Sequence, residues 1–118
     1  MRSAVVTGTT HGIGTVTATR VAAAGYRLIM LVRDLYRAEA LATTITETTG
    51  NDAIEVVRCD LSSIDSVNSA VSDVRRLTGD LHLLINNAGI VTRQRTMSAD
   101  GIELTFATNH LGPFMLTM

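Results

Sequence analysis

Residues 7–14 read Thr-Gly-Thr-Thr-His-Gly-Ile-Gly, between the apolar run Ala4-Val5-Val6 and an amphipathic segment that reaches about Ala24. So many glycines in so short a stretch admit few chain paths. Gly8 lets the chain leave a strand through a tight turn in which a Cβ would clash. Gly12 allows close approach of the backbone to a bound group, and Gly14 allows a helix to pack closely on the strand. Strand, glycine-rich turn and helix in that order form the context of a dinucleotide-binding turn. In such a turn the free N–H groups and the positive end of the helix dipole face a pyrophosphate. The spacing here is G-x-x-x-G-x-G, more specific than a G-x-G-x-x-G match. A turn of this kind also serves backbone geometry alone, so the rest of the chain has to decide.

That remainder alternates strands with helices. The first strand is expected at about Ser3 to Val6. A helix follows at about Ile13 to Ala24, with Ile13, Val16, Val21 and Ala24 at near-helical spacing and Gly25 as its stop. Its threonines, Thr15, Thr17 and Thr19, are β-branched and weaken it, which leaves a strand as the structural rival. Tyr26 to Val32 is a nearly continuous apolar run, the pattern of a parallel strand covered on both faces. Leu35, Ala38, Leu41, Ala42 and Ile45 mark a second helix that ends before Gly50-Asn51-Asp52. A third strand spans Ala53 to Arg58. Ser62 or Ser63 can cap a third helix whose apolar face runs through Ile64, Val67, Ala70, Val71, Val74 and Leu77, and Gly79 ends it. Leu81 to Ile85 is the fourth strand, leading into Asn86-Asn87-Ala88-Gly89. Ser98 or Asp100 is the expected cap of a last helix through Ile102, Leu104, Phe106 and Ala107, broken near Asn109 by Pro113.

Alternation of this kind implies βαβ units, a parallel sheet and right-handed crossovers. The expected fold is therefore a doubly wound α/β sheet of Rossmann type. With a strand order of 3-2-1-4, the first two helices lie on one face and the next two on the other. The crevice then opens between strands one and four at their carboxyl ends, with residues 8–14 and 86–89 side by side.

Composition narrows the partners. The 118 residues suit one domain or part of one, burying about two-thirds of the unfolded surface. A net charge of −1 argues against an electrostatically driven nucleic-acid partner. Cys59 is the only cysteine, which excludes an internal disulfide and a cysteine-based metal site; no metal is expected. No apolar run approaches the ~20 residues that span a bilayer, and Met-Arg-Ser leads directly into a strand. The expectation is a soluble, cytoplasmic protein with no membrane partner. All ten basic residues are arginines; the chain has no lysine.

Several motifs now coincide in order: Thr7-Gly8-x-x-x-Gly12-Ile13-Gly14, Asp60-Leu61, Asn86-Asn87-Ala88-Gly89, and Asp100-Gly101-Ile102-Glu103 with Phe106 and Asn109-His110-Leu111-Gly112-Pro113-Phe114. Together they resemble the short-chain dehydrogenase/reductase family, and the last group resembles its subgroup of retinol dehydrogenase-like reductases. The resemblance covers essentially the whole chain as the amino-terminal, cofactor-binding part of one domain. It implies cofactor contacts by Thr7, Gly8, Thr10, His11, Gly12, Ile13 and Gly14 in the turn, by Asp60 and Leu61 at the adenine, and by Asn87, Ala88 and Gly89 after the fourth strand. It also implies hydride transfer between a nicotinamide and a carbonyl or alcohol carbon.

Cofactor choice is read at the end of the second strand. An NAD-specific site presents an acid there for the ribose hydroxyls; this chain has Val32 and then Arg33. A guanidinium engages a 2′-phosphate that a carboxylate would repel, so Arg33 favours NADP(H), with NAD(H) as the alternative. Asp34 either pairs with Arg33 or points away, and Arg37 is a weaker phosphate candidate. Asn109 matches the family's water-relay asparagine. The catalytic serine, tyrosine and lysine have no counterpart, because Tyr26 is followed four residues on by Met30 and Tyr36 by Ala40. The implied protein is an NADP-preferring oxidoreductase acting on a small, apolar carbonyl or alcohol, present as its cofactor-binding half and inactive alone. The alternative is a non-catalytic NAD(P)-binding module or remnant. A Rossmann-like methyltransferase explains neither residues 86–89 nor Asn109. The fourth strand is left with one open apolar edge, and self-association or a homo-oligomer is expected through it.

Plainer structural roles stand beside these. Asp60 is also a good turn or helix-entry residue, and Asn86 and Asn87 can satisfy buried backbone groups. His110 reads as packed structure, His82 as a half-exposed strand residue and Cys59 as a small buried hydrophobe. Arg75 and Arg76 suit the negative end of a helix.

Overall fold

The computed structural model describes residues 1–9, 12–87, 97–98, 100–102 and 117. The first strand, β1 (Ser3–Thr7), is buried along its whole length. Helix α1 (Gly12–Ala23) leads to β2 (Arg27–Val32), then α2 (Leu35–Thr49), β3 (Ile54–Arg58), α3 (Ile64–Leu77) and β4 (Leu83–Ile85). The strands are parallel and lie in the order β3-β2-β1-β4, as the alternation required. β1 sits between two partners, with Val5 opposite Ile29 on one side and Leu84 on the other.

Successive side chains of a strand point to opposite faces, so a strand covered twice must be apolar throughout. Ala4, Val6, Leu28, Met30 and Val32 pack with Ala18, Val21, Ala22, Ala38 and Ile45 of α1 and α2. Val5, Ile29, Leu31 and Val57 pack on the other face with Val67 and Ala70 of α3. Leu28, Ile29 and Met30 are wholly buried, each contributing about 1.5–3 kcal/mol through burial. The two-sided arrangement is the expected one.

Helix α1 is rotated from its expected orientation. Gly14, Ala18, Val21 and Ala22 face the sheet, whereas Ile13 is 77% and Val16 53% exposed. Gly14 has to face inward because nothing larger fits there, and the helical period then carries Ile13 and Val16 outward. Leu35 is likewise exposed, so the inward face of α2 starts at Ala38. β4 begins at Leu83 rather than Leu81, although His82 already donates its N–H to the Ser3 carbonyl. Thr78, one residue before Gly79, closes α3. Of the last expected helix, residues 103–116 lie outside the described part.

The threonines of the helices turn their hydroxyls back on the backbone. Thr19, Thr43, Thr44 and Thr49 each donate to the carbonyl four residues earlier. That local bond accounts for β-branched residues persisting in helices they would otherwise weaken. At the amino-terminal edge of the sheet Asn51 joins three elements. Its Nδ2 donates to the carbonyls of Ala22 and Tyr26 at 2.9 and 2.7 Å, and its Oδ1 accepts from Ala53 N–H at 2.9 Å. Arg27 donates from Nη1 to the Leu77 carbonyl at 2.6 Å, placing a cation at the negative end of α3.

Candidate functional site: the crevice at the carboxyl ends of the strands

The carboxyl ends of β1, β2 and β3 release the chain toward Gly8, Arg33 and Asp60. Gly8 takes φ +66° and Gly12 φ +51°, values that L side chains disfavour. A Cβ at Gly14 would collide with the Gly8 carbonyl and come within 2.7 Å of Asn87 Nδ2. The turn is thus folded tightly against the first turn of α1, whose leading N–H groups have no helical acceptor. Thr15 Oγ1 donates to the Thr9 carbonyl at 2.6 Å and fixes the far side of the turn. Thr10 and His11 lie outside the described residues.

Strand β4 is tied to this turn through side chains. Thr7 Oγ1 accepts from Asn87 N–H at 2.9 Å, and Asn87 Nδ2 donates to the Gly8 carbonyl at 3.3 Å. Asn87 therefore shapes the crevice by holding the turn. Asn86 is exposed and donates to Thr117 Oγ1 at 3.1 Å. Ala88, Gly89, Asn109 and His110 lie outside the described residues.

At the end of β2, Arg33 is exposed, and Asp34 caps α2 by accepting from Arg37 N–H at 3.2 Å. The carboxylate next in sequence to Arg33 is thus engaged with the helix. After β3, Asp60 Oδ1 accepts from the Ser62 N–H and hydroxyl at 3.0 and 2.6 Å, while Asp60 N–H donates to Ser66 Oγ at 2.7 Å. Burial pushes the Asp60 carboxyl upward. The Ser62 hydrogen bonds and the fields of Arg33 and Arg58 outweigh it and hold the group below the usual carboxylate range. Asp60 is both a turn residue and a fixed negative charge in the crevice, and Leu61 beside it is buried. Burial raises the Cys59 thiol to about 11, with Asp60 adding to the rise, so it remains protonated and inert at neutral pH.

The chemistry of this crevice fits a dinucleotide. Unshared helix N–H groups meet anionic oxygens, a guanidinium stands at one side, and a carboxylate with a free oxygen can accept from an amine. Thr9 Oγ1 is buried and, among the described residues, is the buried side-chain oxygen that lacks a partner. An orphaned hydroxyl inside such a turn is costly in isolation and consistent with a polar group arriving there. The described residues contain no cluster of three metal-ligating side chains and no helix long and apolar enough to cross a membrane.

Sequence reasoning missed Asn51, Thr15 and the bond of Asp100, whose Oδ2 accepts from the Ile64 N–H at 2.8 Å; the helix expected after Asp100 lies outside the described residues. Spacing hinted only at Thr15, two residues before Thr17 on a helix whose sheet-facing side is small. The Cys59 and helix-end arginine readings stand: Cys59 is 3% exposed, and Arg76 pairs with Asp73 in the last turn of α3. His82 is exposed and its Nδ1 accepts from Ser3 N–H at 3.2 Å.

A parallel sheet in the order β3-β2-β1-β4 with a glycine-shaped turn at its switch point defines a dinucleotide-binding α/β protein. The chain belongs to the short-chain dehydrogenase family, whose profile matches residues 2–118, and within it to the retinol dehydrogenase-like subgroup. It is 40% identical over 113 residues to retinol dehydrogenase 11 of Homo sapiens, covering 96% of this chain and 36% of that protein. It is 39% identical over 116 residues to polyprenol dehydrogenase of Homo sapiens, covering 98% of this chain and 35% of the relative. Among solved structures, a short-chain dehydrogenase from Sphingobium yanoikuyae in complex with NADPH superposes with a TM-score of 0.82 at 30% identity. That match covers 99% of this chain and 46% of the other. The chain thus spans about a third of the length of its curated relatives.

Proposed function

We propose that this chain is the NADP-binding part of a short-chain oxidoreductase acting on an apolar alcohol or carbonyl compound. The observation that carries the cofactor preference is Arg33, exposed at the end of β2 with the neighbouring Asp34 engaged by α2. A guanidinium there favours a 2′-phosphate, whereas Val32 at the end of β2 offers no acid to a free ribose diol. The turn with Thr7, Gly8, Thr10, His11, Gly12, Ile13 and Gly14 receives the pyrophosphate, Asp60 and Leu61 border the adenine, and Asn87, Ala88 and Gly89 line the inner end. When bound, the nicotinamide supplies or accepts a hydride. Asn109 is assigned to the proton relay. The serine, tyrosine and lysine belong to a part of the enzyme that these 118 residues do not include, since no Tyr-x-x-x-Lys occurs in them. An apolar substrate is supported by the names of the relatives, which act on retinol and polyprenol. A cytoplasmic setting and association between copies belong to the same reading.

Titration with NADPH and NADH tests the preference. The chain is expected to bind NADPH more tightly, and Arg33→Ala to weaken NADPH by roughly tenfold while leaving NADH little changed, the size of one charge-assisted contact. An unchanged ratio sinks the assignment of Arg33. The absence of Tyr-x-x-x-Lys also favours a second reading, a nucleotide-binding module without catalysis. Turnover by a longer chain that restores a serine and Tyr-x-x-x-Lys pair separates the two; binding without turnover supports the module.

A further inference from the structure

We infer that Asp100 is a positioning residue for the adenine side of the crevice, acting through the first turn of α3 on Asp60. The inference rests on the nucleotide-binding reading above. Ser98 N–H donates to the Ile102 carbonyl at 2.6 Å, and Gly101 N–H donates to the Ser98 carbonyl at 3.0 Å, so the chain turns here. Ser98 Oγ also accepts from the N–H groups of Asp100 and Ile102, both at 3.3 Å, and Gly101 takes φ +73°. This turn presents the Asp100 carboxylate to α3, where Oδ2 accepts from Ile64 N–H at 2.8 Å across 36 residues of sequence.

The N–H groups of a first helical turn have no helical acceptor, and an anion is favoured at that end. Ser63 Oγ takes the Ser66 N–H at 3.3 Å, and the Val67 N–H goes to the Ser63 carbonyl. Asp100 takes the Ile64 N–H, which the local cap does not reach. The same turn orients Asp60: Ser66 Oγ accepts from Asp60 N–H, Ser62 holds Asp60 Oδ1, and Ser63 N–H donates to the Asp60 carbonyl at 3.0 Å. Four consecutive residues from Asp60 to Ser63 are therefore set by the start of α3, and Asp100 secures that start from a distant segment. Loss of its carboxylate frees the turn that aims Asp60, so nucleotide affinity falls although Asp100 itself does not touch the ligand.

The test compares Asp100→Ala, Asp100→Asn and Asn51→Ala in binding of NADPH and of 2′,5′-ADP, alongside thermal unfolding. Asn51 bridges elements at the opposite end of the sheet and serves as a control for general destabilisation. Asp100→Ala is expected to weaken both ligands about fivefold, the effect of a lost cap expressed as affinity. Asp100→Asn, which keeps an acceptor oxygen, restores affinity to within about twofold, since asparagine caps as well as aspartate. Asn51→Ala lowers the unfolding temperature at least as much and leaves affinity unchanged. Affinity retained in Asp100→Ala, or lost equally in Asn51→Ala, overturns the role of Asp100 while leaving the nucleotide reading intact. A wild-type chain that binds neither ligand overturns the nucleotide reading itself, and the role of Asp100 with it.

Discussion

At Gly14 a single methyl group decides whether the turn can form. Its Cβ would occupy space held by the Gly8 carbonyl, which is backbone and cannot swing aside. At Gly12 a Cβ meets nothing within 4 Å, and the obstacle is only the positive φ. Gly12→Ala is therefore expected to cost about 1–2 kcal/mol, the strain of the left-handed region. Gly14→Ala should cost about 3 kcal/mol or more, because the helix must be pushed off the strand. Urea unfolding of the two variants checks the order, and equal losses would contradict the packing account. The identity of Gly14 as the close-packing glycine was legible from its spacing alone. The orphaned hydroxyl of Thr9 was not, since satisfaction of a side chain depends on neighbours brought by the fold.

The described helices and strands were legible to within a residue or two because their signals are local: a capping serine at Ser63, an apolar run from Leu28 to Val32, a stop at Gly50. The rotation of α1 was not, because Ile13 and Val16 are the bulkier apolar residues and hydrophobicity alone turns them inward. The close approach of Gly14 overrides that preference. Asn51 and Asp100 were equally hidden, as their partners lie 25–36 residues away along the chain. The threonines of α2 give a test at this scale. Thr43 and Thr44 are exposed and bond only to their own helix, so Thr43→Ala and Thr44→Ala should each stabilise by about 0.5 kcal/mol through better helix propensity. Thr15→Ala should instead destabilise by about 1 kcal/mol, because its hydroxyl holds the Thr9 carbonyl of the turn. Thermal melts of the three variants decide it; a stabilising Thr15→Ala would remove that residue from the site.

At the scale of the molecule β1 and β2 are covered on both faces, whereas β4 is half-buried and pairs with β1 alone among the described strands. An apolar three-residue strand whose second edge is unpaired by any described strand offers N–H and C=O groups to another chain. Sedimentation of the 118-residue chain is expected to show an average mass that rises with concentration, and a longer chain that adds a strand beside β4 should suppress the rise. A monomer at every concentration would show that the edge is already protected.

The bonds between Asn87 and the Thr7–Gly8 turn span about eighty positions. During synthesis the turn leaves the ribosome long before its partner, at a pace of about 5–20 residues per second. For several seconds the glycine turn exists without the strand that completes its pocket. On the nucleotide-binding reading proposed above, the pocket is complete only once β4 has emerged and Asn87 has closed on the turn.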